Sequence, residues 1–143
     1  ANPMTENYEF VRPSILPQLL YSESVSGNAV YPHKTFEVGK VAIPDSKDNY
    51  GSVTKNFLAF LHSDNGADFN IVSSYVSAVM FYLCRDYVLE ELEDPRFITG
   101  RAAVIRMSNK KAGILGEVHP QVLENWGVQM PVTVCELDLD MLL

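Results

Sequence analysis

The sequence predicts an α+β fold, an antiparallel β-sheet flanked by helices, on three observations. Apolar residues recur every three or four positions from Phe69 to Leu83, the spacing of one helix face. Short alternating or apolar runs occupy 34–43, 53–61, 102–107, 112–118 and 131–139, the length of strands. The spans between successive runs are mostly hairpin-sized, where parallel strands would need long crossovers. A sheet of about five to seven strands is expected, with the long helix near 69–84 lying across one face.

The elements follow in chain order. Tyr8 to Arg12 reads as extended, and the Arg12-Pro13 step disfavours helix at Arg12 while allowing one to begin at Pro13. Ile15, Leu16, Leu19, Leu20 and Val25 then form an apolar stripe ended by Gly27-Asn28, which places a first helix at about 13–26. Pro17 falls in its first turn, where the forgone hydrogen bond costs little. The apolar face is wide for so short a helix, so Ile15, Leu16, Leu19 and Leu20 are candidate interface residues. Phe36, Val38 and Val41 lead into the polar stretch Pro44–Ser52, and Val53–Leu61 returns, making an antiparallel pair. Asp64-Asn65-Gly66 is a turn, and Asp68 is placed to cap the long helix. Tyr87–Leu92 is short and extended, with Glu90, Glu91, Glu93 and Asp94 as a solvated acidic patch before Pro95. Ala102–Met107 and Ala112–Val118 flank the loop Ser108-Asn109-Lys110-Lys111. Pro120 begins a short helix, Gly127 ends it as a left-handed residue, and Pro131–Leu139 closes the chain as a strand.

A chain of 143 residues with 47% hydrophobic and 20% charged residues fits one domain, 1–143, with one core, and argues against disorder. No apolar run approaches the ~18–20 residues needed to span a bilayer, and Ala1 to Glu9 carry no signal-peptide pattern, so no membrane association is expected. Ala1 in place of Met points to a processed or excised fragment. A net charge of −7 repels phosphate, so nucleic-acid binding by the chain alone is expected to be weak or absent. Cys84 and Cys135 lack metal-ligand spacing and read as two reduced core thiols.

Chemistry-bearing residues are sparse. There is no Gly-x-x-x-x-Gly-Lys-Ser/Thr loop and no Gly-x-Gly-x-x-Gly. His33, His62 and His119 are too scattered for a metal triad; His119, ahead of Pro120, reads first as a helix cap and only second as a general base or nucleic-acid contact. Glu117 reads as the partner of Arg101 or Lys111 before it reads as a substrate group. Glu136, Asp138 and Asp140 alternate with apolar residues and are expected on a solvated sheet face. Gly100-Arg101 is the most informative basic element: a glycine ahead of a strand permits close approach, and the arginine suits a carboxylate or a phosphate. A structural pair with Glu117 or Glu136 is the default. Arg12 invites the same two readings, with Pro13 favouring a structural one. No catalytic, cofactor or metal residue is assigned.

Several of these segments together carry a resemblance. They are Asn2-Pro3-Met4-Thr5, Val11 to Leu20, Phe36-Glu37-Val38-Gly39, Gly100-Arg101-Ala102-Ala103, Ala112 to Gly127 and Glu136 to Asp140. In order along nearly the whole chain, this set resembles the C-terminal, catalytic-like core of the phenylalanyl-tRNA synthetase β subunit of the archaeal and eukaryotic type. The resemblance implies a class II synthetase-like core. Such cores bind ATP through arginines on a strand pair and in a glycine-rich strand-to-helix segment, yet 36–43 and 113–119 contain none. What it implies is therefore a non-catalytic module that packs against the catalytic α subunit and the rest of β in a cytoplasmic heterotetramer. ATP, magnesium and tRNA(Phe) would belong to that parent complex, and the fragment freed of its partners would self-associate. The family's magnesium ligands and editing site lie upstream and transfer to no residue here. A free-standing amino-acid or peptide binding module, or a small ATP-dependent acid-activating enzyme, are the alternatives.

Overall fold

A computed structural model describes residues 11–143; Asn2-Pro3-Met4-Thr5 and the start of the extended stretch at Tyr8 lie outside the described residues. The elements are α1 (Leu16–Val25), β1 (His33–Pro44), β2 (Ser52–Ser63), α2 (Phe69–Tyr82), β3 (Val88–Glu91), β4 (Phe97–Met107), β5 (Lys110–Val118), α3 (Pro120–Trp126), β6 (Val132–Asp138) and α4 (Leu139–Leu142). The six strands form one sheet in the order β1-β2-β6-β5-β4-β3, and every neighbouring pair is antiparallel.

Local chemistry explains the helix ends. Asp68 accepts a hydrogen bond from the Ile71 N–H and so starts α2. His119 caps α3 through Nδ1, which accepts from the Gln121 N–H; Pro120 opens the helix, and Gly127 closes it in the left-handed region at φ 72°. α1 begins at Leu16 and not at Pro13, and the N–H of its N-cap residue Ile15 is bound by the Glu136 carboxylate.

Helices cover both faces. α1 packs over β1 and β2 on one face, burying Leu16, Leu19 and Leu20 against Val41, Ala59 and Leu61. α2 packs over β5 and β6 on the other, where Val72, Val76 and Met80 meet Ile105, Leu115 and Leu137. Two apolar layers with the sheet between them thus replace the one core expected.

This arrangement corrects several expectations. Ile15, Leu16, Leu19 and Leu20 are not an exposed interface: they are 0%, 7%, 4% and 7% exposed and form the α1-side core. The wide apolar stripe is consumed by the sheet beneath it, which a helix read by itself does not reveal. Glu136 and Asp138 are buried, not solvated, because β6 lies in the middle of the sheet with a helix layer on each side. Asp140 has left the strand and sits exposed in α4. Gly100 does not precede a strand; it lies inside β4 at φ 75°, where the register with β5 shifts between Phe97 and Ala102. That bulge needs a residue tolerant of positive φ. The β4–β5 turn is Ser108-Asn109 alone, both at positive φ, and Lys110 and Lys111 already belong to β5. Two left-handed residues match the strand twist and close the hairpin more tightly than a four-residue loop. Cys135 is buried as expected, whereas Cys84 is exposed just past α2. Among the described residues, no helix is long and apolar enough to cross a membrane.

Candidate functional site

The α1 face of the sheet holds a cleft of about 420 Å³ whose charged lining comes from Lys55, Arg96, Lys111, Glu136 and Asp138, over a floor that includes Phe57 and Ile114. Strand register brings these groups together: β6 places Glu136 opposite Ala59 and Ile114, and Asp138 opposite Phe57.

Both carboxylates are occupied from within. Glu136 accepts from the Ser14 hydroxyl at 2.9 Å and from the Ile15 N–H at 2.6 Å, so an anion fills the N-terminal end of α1. The aligned peptide dipoles of the helix favour that charge. Asp138 pairs with Lys55 and accepts from the Asp140 N–H at 3.1 Å, capping α4. At the rim, Arg96 grips Asp94 through Nε and Nη2 at 2.9 and 2.6 Å. The side-chain hydrogen bond from Arg96 holds the Asp94 carboxyl below its usual range and raises the arginine in return. Lys111 lines the mouth without a carboxylate within salt-bridge distance among the described residues. The cleft therefore presents cations whose neighbouring acids already act as helix caps and ion-pair partners.

The other sequence-selected residues fall elsewhere. Arg101 Nη1 reaches Glu117 Oε2 at 2.8 Å, on the α2 face, while Glu117 Oε1 accepts from the Phe69 N–H at 2.8 Å. Glu117 thus does for α2 what Glu136 does for α1. The two partners differ in exposure, at 58% for the Arg101 side chain and 9% for Glu117. Glu117→Ala should consequently lower stability by about 2 kcal/mol through its part-buried bond to a helix N–H. Arg101→Ala should shift the thermal midpoint far less, since water screens an exposed guanidinium. A pair of melting curves checks the ordering. Arg12 pairs with Glu37 at 2.7 Å and donates from Nε to the Lys40 carbonyl at 3.1 Å, so it belongs to the outer edge of β1. It crosses β1 directly over Gly39, where a Cβ would collide with the guanidinium. His119, Gly100 and the Arg101–Glu117 pair do not meet Arg12 or the cleft in one site.

Two histidines carry more structure than their spacing indicated. His33 Nδ1 lies 3.0 Å from both oxygens of the buried Glu23 carboxylate in α1. His62 follows Leu58 and Phe60 at the strand period on the α2 face, and its Nδ1 lies 2.9 Å from the Tyr75 hydroxyl. That alternation was the available signal. Burial, then the Lys34 charge, lowers the His62 pKa, with Asp64 partly opposing. The folded state accordingly resists protonating His62, so its contribution to stability is complete above the ordinary value of 6.5 and falls as pH drops below it. Melting curves from about pH 7.5 to about pH 5 should show that loss, reduced in His62→Gln. Among the described residues, no group of three or more His, Cys, Asp or Glu is arranged to hold a metal ion.

A six-stranded antiparallel sheet with helices on both faces is an architecture this chain shares with a solved tRNA synthetase. Pyrrolysyl-tRNA synthetase from Desulfitobacterium hafniense matches it with a TM-score of 0.73 over 92% of this chain and 48% of that one; at 15% identity the likeness shows the fold alone. The family model of the phenylalanyl tRNA synthetase beta chain CLM domain matches residues 1–139. The phenylalanine–tRNA ligase beta subunits of Treponema pallidum subsp. pallidum and Borrelia hermsii are each 46% identical, over 99% and 100% of this chain and 24% and 25% of their own lengths. The chain belongs to the phenylalanyl-tRNA synthetase β chain family. It spans about a quarter of the length of these relatives. They are bacterial, and the match is to the CLM domain, which replaces the assignment to a C-terminal core of the archaeal and eukaryotic type.

Proposed function

We propose that the chain is a non-catalytic structural module of the phenylalanine-tRNA ligase β subunit. In this reading it packs against the catalytic α subunit and the rest of β in a cytoplasmic heterotetramer, and so supports ATP-dependent attachment of phenylalanine to tRNA(Phe). ATP and magnesium belong to the parent complex, and tRNA meets the module through that complex.

The observation that carries the reading is the state of Glu136. Of the cleft's two buried carboxylates, Glu136 is bonded to Ser14 and the start of α1, and Asp138 to Lys55 and α4. A catalytic acid or base must be able to exchange a proton with a substrate; these two are fixed as parts of the scaffold. Membership of the β chain family supports the same reading. Phenylalanine-dependent exchange of pyrophosphate into ATP tests it: this chain alone should stay at background, while α and full-length β together exchange. Robust exchange by the chain, lost on replacing Lys55 or Arg96, would overturn the proposal.

A further inference from the structure

At one end of the α1 face of the sheet, His33 Nε2, Thr35 Oγ1 and Ser63 Oγ are buried with no hydrogen-bond partner among the described residues. They belong together. His33 and Ser63 stand opposite one another on β1 and β2, and Thr35 follows His33 by two residues, so all three side chains share the face that carries Val41 and Leu61. His33 is 7% and Ser63 0% exposed, which closes this end of the sheet to solvent. Folded proteins very rarely leave a buried polar atom unpaired, and three side by side call for a shared partner.

The chemistry of the three atoms says what that partner is. His33 Nδ1 lies 3.0 Å from both oxygens of Glu23, and facing a carboxylate it is the donor. Nε2 must then accept in the neutral ring or donate in the charged one, while each hydroxyl does both. A guest that both donates and accepts suits them all. None of the three atoms bonds another and all are shut off from bulk solvent, so the guest is small and stands between them. Water meets those conditions, since an internal water typically makes about three hydrogen bonds and occupies polar spaces while apolar ones stay dry. An entrance is close by. Glu23, and Tyr31, whose ring stacks on His33 at 3.9 Å, both line a pocket of about 310 Å³ at the end of α1.

Carboxylate, imidazole and hydroxyl in Glu23, His33 and Ser63 follow the order of a hydrolytic triad. Burial decides against that chemistry, because a hydroxyl in a residue with 0% exposure meets no substrate.

We propose that His33 Nε2, Thr35 Oγ1 and Ser63 Oγ form an enclosed site for one water molecule. The water completes a chain that runs from Glu23 in the last turn of α1 through His33 to β2, and it fastens that turn to the β1–β2 pair by polar contacts where Leu16, Leu19 and Leu20 hold the rest of the helix by packing.

A high-resolution crystal structure of the chain, with melting curves of Thr35→Val, Ser63→Ala and the double variant, tests the site. One solvent peak should lie within about 2.6–3.2 Å of all three atoms. Each single variant removes one partner of the water and should lower the melting temperature by at least about 2 °C. The double variant should lose clearly less than the sum, because the two hydroxyls serve one guest. Thr35→Val keeps the branched shape that a strand favours, so its loss reports the hydroxyl and not a failure to fold. Density in which Nε2 bonds Ser63 Oγ directly, or in which a side chain from residues 1–10 reaches it, would overturn the site. Losses that add in full, or no loss at either position, would overturn it as well.

Discussion

Glu136→Ala is expected to lower the stability of the module by about 3 kcal/mol, a fall of roughly 6–12 °C in melting temperature for a chain of this size. Three donor contacts explain the size of the effect. The carboxylate accepts the Ile15 N–H at 2.6 Å, and the Ser14 hydroxyl reaches both of its oxygens at 2.9 and 3.1 Å. Ser14 Oγ in turn accepts from the Leu16 N–H at 3.2 Å, so the whole entrance of α1 hangs on one side chain of β6. Removing it leaves a buried N–H without an acceptor and an unneutralised helix start, the costly way to break such a contact. Glu136→Gln keeps one carbonyl oxygen for Ile15 and should lose less. Thermal denaturation of the three proteins gives the ordering directly, and equal stability of Glu136→Ala and wild type would dismiss the anchoring role.

A loss of similar size is expected from Leu19→Ala, about 2–4 kcal/mol, because the side chain is 4% exposed in the α1-side core and its removal leaves a cavity. Val25 belongs to the same apolar stripe in the sequence but is 67% exposed, so Val25→Ala should change stability by less than about 0.5 kcal/mol. Denaturant titrations of the pair separate a core helix from a docking helix. A docking helix would show small losses at both positions in free β and a large loss of α binding at Leu19.

Much of the fold was legible because its signals are local. Asp68 followed by apolar residues at three and four specified α2, and His119-Pro120 and Gly127 bracketed α3. The strand pairs on either side of the Pro44–Ser52 stretch and the Ser108–Asn109 turn declared themselves as hairpins. Sequence proximity also foreshadowed the pair of Arg101 and Glu117, which lie on hairpin-linked strands. What stayed hidden depends on distant neighbours. The alternation of Glu136 and Asp138 looks like a solvated face until β6 is placed between β2 and β5 under two helix layers. Ser14 and Glu136 are 122 positions apart, and no local pattern links them. Likewise, the apolar stripe of α1 cannot by itself say whether a sheet of the same chain or another protein covers it. The exposed pair Phe36 and Val38 sits in a strand whose sequence reads as ordinary core, and only the position of α2 shows that nothing in the described residues covers it.

The most direct test of a purely structural role is the turnover number of the assembled enzyme carrying Glu136→Gln in β, measured as phenylalanine-dependent pyrophosphate exchange per intact complex. The carboxylate serves α1 and touches no substrate in this reading, so kcat per assembled complex should equal that of wild type while the melting temperature falls. A large drop in kcat in complexes that remain fully assembled and folded would contradict it and place Glu136 in the chemistry.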